Sequence, residues 1–222
     1  MDDHSSLSSS LTDMMTSLMV IFILLLTNYL SNEQGAVAVA RSKTEEMKAQ
    51  LESKLSEFKV EGVEVKKMDD YNLVIIIPDK LLFDVGNSQL NANATDFLSK
   101  LTPALIDSFS RRENDIGSIS VEGNTDKKLR ADAANKYYNW DLSQQRASAV
   151  MKYIFESQSA PNEIEKFKKI ALFGGRGPIE CDPAIDANED AMKKCRTVKF
   201  KIRMKSNEEK TILLEKSHVP GN

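Results

Sequence analysis

The sequence predicts an α+β protein with a single N-terminal transmembrane helix, an amphipathic linker helix and a small α/β sandwich domain. Three observations carry this expectation. From Leu11 to Leu30 there is no Lys, Arg or Glu, and Met14–Leu26 reads MMTSLMVIFILLL. Met47, Leu51, Leu55 and Phe58 then recur at helical intervals among Glu45, Glu46, Lys48, Glu52 and Lys54. Beyond Gly62, β-branched runs alternate with segments of helical period. A chain of 222 residues has room for one ordinary domain plus extras. Its 41% apolar and 28% charged content suits a globular core rather than disorder. A net charge of −3, with Lys and Arg spread thinly, argues against a nucleic-acid partner.

Taken in order, the expected parts are an N-terminal tail (1–8), the membrane helix (9–30), a juxtamembrane helix (31–61), the sandwich domain (62–206) and a C-terminal tail (207–222). A run of about 20 mostly apolar residues is what a helix needs to cross a bilayer. A buried core helix is the bland rival, but such helices rarely lack a polar face for so long. A cleaved signal peptide is the sharper one. Ala36-Val-Ala38 resembles a cleavage site, yet Met1-Asp-Asp-His-Ser-Ser before the apolar run has no positive charge. The first basic residue, Arg41, follows the helix. A positive-inside count alone therefore puts the C-terminal domain in the cytoplasm.

Asp13 opens the apolar run, after Ser8-Ser-Ser10-Leu11-Thr12. Ionisable groups inside a bilayer are costly and generally face protein or water. At helical spacing Asp13 shares a face with Thr16, Ser17 and Val20, a small and partly polar stripe suited to close helix contact. Spacing alone leaves two readings open: an ion-handling acid, or a helix cap at the headgroup level. The stripe Met47–Phe58 is likewise open. It either pairs with its twin in a dimer or packs on the domain beyond.

Within that domain Val63–Lys67 and Asn72–Ile77 read as strands, the second nearly continuous as in a buried sheet. Asp79–Asn91 reads as a loop and Ala94–Phe109 as a helix. Ile116–Val121 is a short strand ending in Glu122-Gly123-Asn124, Leu142–Phe155 a second helix, and Lys169–Phe173 a strand closed by Gly174-Gly175. Arg196–Met204 is the final strand. Strands separated by helices in this order suggest a sheet with helices on one face. Neither a nucleophile–base arrangement nor a metal cluster is visible. Phe173–Pro178 lacks the Lys-Ser/Thr of a phosphate loop. The chain reads as non-enzymatic, without metal or cofactor.

Three segments resemble the OmpA-like peptidoglycan-binding domain. They are Val121-Glu-Gly-Asn-Thr-Asp126, Asn139-Trp-Asp-Leu-Ser-Gln-Gln-Arg146-Ala-Ser-Ala-Val150, and Cys195-Arg-Thr-Val-Lys-Phe200. Phe83 and Gly86 fit the first loop of that family, and Gly174–Pro178 its glycine turn. The resemblance implies that Asp126 and Arg146 hold the diaminopimelate of a peptidoglycan stem. The chemistry suits them: a diamino acid offers carboxylate and ammonium side by side, for which Arg supplies a forked donor and Asp the opposing charge. Asn124 and Thr125 are expected to add hydrogen bonds, with Arg196 a secondary candidate because Thr197 replaces the family's second Arg. Asn139 resembles a residue that caps the second helix and lines the cleft, and capping is the expected role. The alternative for Asp126 and Arg146 is a structural salt bridge with no ligand. Lys127–Tyr138 lengthens the loop beside the site, and Tyr137, Tyr138 and Trp140 are expected to pack rather than bind. Some OmpA-like domains carry a disulfide where Cys181 and Cys195 bracket Asp182–Lys194; two buried thiols are the alternative.

Leu11-Thr-Asp13-Met-Met-Thr16-Ser-Leu-Met-Val-Ile-Phe22 resembles the start of the transmembrane helix in MotB-type stator subunits. In that family the Asp carries a proton or sodium ion. Two copies sit inside a pentamer of a MotA-like partner, and ion passage drives rotation. The resemblance implies an inner-membrane protein with a cytoplasmic N-terminus and a periplasmic C-terminal domain, against the simple charge count. The compact layout and the insertion before the second helix resemble ZorB-type subunits of the Zorya anti-phage system, with ZorA as partner, more than flagellar MotB. A passive wall tether that conducts nothing is the alternative from another class, and it has no need of Asp13.

Overall fold

A computed structural model describes residues 3–58, 61–128, 137–157, 160–181, 189–206, 208–210 and 212. The chain divides into two compact units, Met1–Val39 and Ala40–Asn222. Helix α1 (Asp3–Glu57) forms the described part of the first unit and one helix of the second. In the first unit α1 includes one stretch long and apolar enough to cross a membrane by length and composition, with mean hydropathy 1.8. Its apolar side chains, Leu18 and Phe22 among them, are exposed within the chain. Thr16 and Thr27 donate their hydroxyls to the carbonyls of Thr12 and Ile23 (2.7 and 2.8 Å), so neither presents an unpaired donor to an apolar medium.

The second unit is built on a five-stranded sheet of order β1-β2-β5-β3-β4. Its strands are β1 (Glu64–Lys67), β2 (Asn72–Pro78), β3 (Ile116–Asn124), β4 (Ala171–Gly177) and β5 (Thr197–Met204). Only β3 and β4 are parallel; the other neighbours run antiparallel. Alternation along β5 buries Val198, Phe200, Ile202 and Met204, leaving Lys199, Lys201 and Arg203 on the other face. Helices α2 (Ala92–Ser110), α3 (Tyr138–Glu156) and α4 (Pro161–Lys168) supply the rest of the core, including Leu98, Leu101, Val150, Met151, Ile164 and Phe167. The expected sandwich is therefore present, with three differences in its parts. The residues after Pro78 begin with a 3-10 turn, Asp79–Leu81, rather than an irregular loop. Helix α4 occupies a stretch assigned no element from sequence, and α5 (Glu189–Cys195) occupies the end of the expected Asp182–Lys194 loop. Strand β4 runs on through Gly174 and Gly175, which pair with Glu122 and Gly123 of β3 instead of closing the strand.

The amphipathic stripe settles inward. Met47, Leu51 and Leu55 are buried in the domain core, so this face packs on its own domain rather than waiting for a twin. Leu51→Ala is expected to cost about 2–5 kcal/mol of unfolding free energy, read by chemical denaturation.

Ion pairs fasten the same helix from outside. Lys43 reaches Asp115 (2.6 Å), Lys54 reaches Asp107 (2.5 Å), and Arg112 meets Glu46 (3.1 Å). The ammonium of Lys54, with Arg111 second, holds the Asp107 carboxyl below its ordinary value. Burial pushes Asp115 up, but Lys210 and Lys43 outweigh it and leave it lowered. A carboxyl depressed in the folded state contributes stability above its unfolded value and loses it as pH falls through the folded one. The protection factors of the 40–57 helix amides, with intrinsic exchange divided out, are therefore expected to be unchanged from pH 8 to 5 and to fall below about pH 4.

Candidate binding site

At the C-terminal end of β3 the chain leaves the sheet as Thr125-Asp126, and a cavity of about 380 Å³ opens there. Helix α3 forms one wall. Asn139, Leu142 and Arg146 recur at helical spacing along it, and all three line the cavity. The helix can lie this close because two strand positions carry no side chain. A Cβ on Gly123 would stand 2.1 Å from the Ser143 carbonyl oxygen, and one on Gly175 2.4 Å from the Gln144 nitrogen. Ser143 and Gln144 then receive the strand's outer edge, accepting from the amides of Gly177 (2.9 Å) and Gly175 (2.7 Å). The opposite wall is the 3-10 turn with Phe83 and Gly86, and the floor is completed by Arg196 just before β5.

Four charges run along this cavity in alternating sign. Arg146 NH1 donates to Asp79 Oδ2 at 3.0 Å; Arg196 Nε lies 3.8 Å from the same oxygen; Arg196 NH1 donates to Asp126 Oδ2 at 2.5 Å. Arg146 is 2% exposed, which decides how much its contacts matter: a buried guanidinium needs every partner it has. Its Nε donates to the Asn87 carbonyl (2.9 Å) and its plane lies 5.1 Å from the Phe83 ring centroid. Burial pushes the Asp79 carboxyl above its ordinary value, against the two guanidiniums that draw it down. Burial likewise lowers Arg146, with Asp79 opposing. The exposed ammonium groups of Lys80 and Lys128 sit at the rim.

Of the residues expected from sequence, Asp126, Arg146, Thr125 and Arg196 meet at this cavity. Asn124 does not line it. Its side chain is buried between the strands, opposite Thr197 and Gly177, and donates to the Glu122 carbonyl at 3.4 Å. The pairing also differs from a simple Asp126–Arg146 bridge, because Asp79 takes Arg146 and Arg196 takes Asp126. Asn139 is not a cap. It lies inside α3, whose N-cap is Tyr137, and its amide donates to the carbonyls of Asp126 (3.0 Å) and Lys128 (3.2 Å), pinning the segment that carries Asp126. Tyr138, expected only to pack, lines the cavity and donates to the Gly86 carbonyl at 3.1 Å. Asp79, read from sequence only as the start of a loop, was not among the residues expected at the site. Residues 129–136 of the neighbouring insertion and 182–188 of the later loop lie outside the described residues. Cys181 and Cys195 are joined in a disulfide that ends immediately before Arg196. Asp13 belongs to the other unit.

Residues 82–191, which hold Asp126 and Arg146, match the profile described as the OmpA family. The sheet domain is OmpA-like. Asp79 and Arg196 fall just outside the matched stretch, directly after β2 and directly before β5. A Bacillus subtilis (strain 168) protein, YtxE, itself uncharacterised, is 32% identical over 98 residues. That match takes in 44% of this chain and 37% of the relative's length. Among solved structures, one described as a MotB-like protein from Desulfovibrio vulgaris superposes with a TM-score of 0.58 at 20% identity, over 78% of this chain and 99% of that one. The periplasmic domain of Helicobacter pylori MotB gives 0.55 at 19% identity, over 74% and 94%. The cell wall anchor of a secretion system from Pseudomonas aeruginosa gives 0.52 at 20%, over 70% and 97%. At these identities the likeness is one of fold.

Proposed function

We propose that this chain is a single-pass inner-membrane protein whose periplasmic OmpA-like domain grips peptidoglycan, and that it serves as the wall-anchored subunit of an ion-driven rotary motor. The observation that carries the anchor is the alternating row Arg146–Asp79–Arg196–Asp126 in a cavity. Its two ends suit a zwitterion: Arg146, already held by Asn87 and Asp79, presents a guanidinium charge to a carboxylate, and Asp126 presents a carboxylate to an ammonium. The diamino acid of a peptidoglycan stem presents that combination. Thr125, whose own amide is taken by the Gly177 carbonyl (3.0 Å), offers its hydroxyl nearby.

The motor half of the proposal rests on Asp13 at the start of an apolar helix long enough to span a membrane. In it Asp13 carries a proton or sodium ion, two copies of the chain form a homodimer, and a MotA- or ZorA-like membrane subunit, a pentamer, turns around them. Asp13 favours this over a passive tether, which has no need of an acid in the apolar helix. We place the client as anti-phage defence of the ZorB type, ahead of a flagellar stator, on the compact layout of the chain and the insertion before α3. The anchor is tested by co-sedimentation of the detergent-solubilised full chain with purified sacculi. Retention that free meso-diaminopimelate competes away is the expected result; retention indifferent to it would remove the cavity from the account.

A further inference from the structure

The position of Asp79 between two guanidiniums has a consequence for what the cavity selects. Asp79, Asp126, Arg146 and Arg196 sum to zero charge, and all but Arg196 are nearly removed from water. The rim lysines, Lys80 and Lys128, are exposed and therefore screened by solvent. Among the described residues, Coulombic preference for a ligand is thus set mainly by the four inner groups. With two cations and two anions, the cavity matches a ligand that carries an equal number of each. We propose that Asp79 is a specificity-setting residue: its carboxylate, shared between Arg146 and Arg196, keeps the cavity neutral and so makes it select an amino acid over a plain dicarboxylate. This rests on the anchor reading above and deepens it.

The geometry gives Asp79 this role in preference to Asp126. Its Oδ2 touches Arg146 at 3.0 Å and lies 3.8 Å from Arg196, so it sits between the cations. Asp126 stands at the free end of the row, where an incoming ammonium displaces or shares Arg196. Asp79 is also held in place by backbone rather than by the ligand: its amide donates to the Arg196 carbonyl at 3.0 Å, and its own carbonyl accepts from Leu82 and Phe83. Removing its charge leaves Arg146 without its carboxylate and Arg196 with Asp126 alone, so the row gains one net positive charge, which raises affinity for dianions and lowers it for zwitterions.

The test is a pair of titrations of the full chain in detergent, with meso-diaminopimelate and with pimelate, the same carbon chain without ammonium groups. Wild type is expected to prefer diaminopimelate. Asp79→Asn is expected to shift the ratio of the two affinities toward pimelate by about tenfold or more. Asp79→Glu keeps the charge and restores the wild-type ratio. Arg196→Gln, at a position 23% exposed, is expected to move the ratio the opposite way and stands as the independent arm if Asp79→Asn fails to fold. A merely structural Asp79 would weaken both ligands equally and leave the ratio fixed, which would overturn the proposal while the anchor stands. Wild type that binds neither ligand would overturn the anchor, and this inference with it.

Discussion

Arg146→Ala is expected to abolish retention on sacculi and to destabilise the domain together, whereas Asp126→Ala abolishes retention with little loss of stability. The difference follows from burial. Arg146 is enclosed among Asp79, the Asn87 carbonyl and the Phe83 ring. Its removal leaves Asp79 with the more distant Arg196 and the Lys80 amide, and opens a hole beneath the cavity. Truncating one member of a buried ion pair costs about 3–5 kcal/mol of stability. Asp126 faces Arg196, which is 23% exposed and can turn to water, so its loss is cheap for the fold. For the ligand it is not cheap. Losing a desolvated charge partner costs about 2–5 kcal/mol of binding, roughly 30-fold to several thousandfold. Sedimentation and thermal unfolding measured on the same two variants separate the effects. If Asp126→Ala binds sacculi as wild type does, the acceptor is elsewhere.

Asp13→Asn is expected to leave wall binding untouched while reducing ion flux to the level of empty vesicles. Asparagine preserves the size and much of the hydrogen bonding of aspartate but has no site for a titrating proton and no charge to hold a cation. The variant is reconstituted with the membrane partner in vesicles, and flux is followed with proton- and sodium-sensitive dyes. Undiminished flux would remove Asp13 from the ion path. A chain that anchors the wall and supports no flux even as wild type would be a tether, the alternative that needs no acid in that position.

Much of the fold was legible because its patterns are local. The run Asn72–Ile77 declares a buried strand through unbroken β-branched and aliphatic residues, and it forms β2. The spacing of Met47, Leu51 and Leu55 declares a helix face, although only the tertiary structure tells which surface it covers. Helix α4 escaped notice because its eight residues carry just two core side chains, Ile164 and Phe167, too few to establish a period. The glycines of β4 look like a turn in one dimension. In three they are a strand flattened to admit α3.

The site was half legible for a similar reason. Asp126 and Arg146 sit in motifs whose neighbours announce them. Asp79 sits in Ile-Pro-Asp-Lys, which announces only the end of a strand. Its role arises from the pairing of β2 with β5, which sets Pro78 opposite Thr197 and thereby Asp79 beside Arg196, a juxtaposition no local pattern encodes. Asn139 was misplaced by a one-turn error in the start of α3. The helix begins at Tyr138, so the side chain expected at its cap reaches back to the Asp126 carbonyl instead.

A crystal structure of the unit beginning at Ala40, soaked with meso-diaminopimelate, tests the central claim most directly. The fragment must keep residues 40–57, since Met47, Leu51 and Leu55 belong to the core. The account predicts the ligand in the cavity, its carboxylate within hydrogen-bonding distance of Arg146 and its ammonium within that distance of Asp126. Ligand bound at another surface, with the Arg146–Asp79–Arg196–Asp126 row untouched, would contradict it.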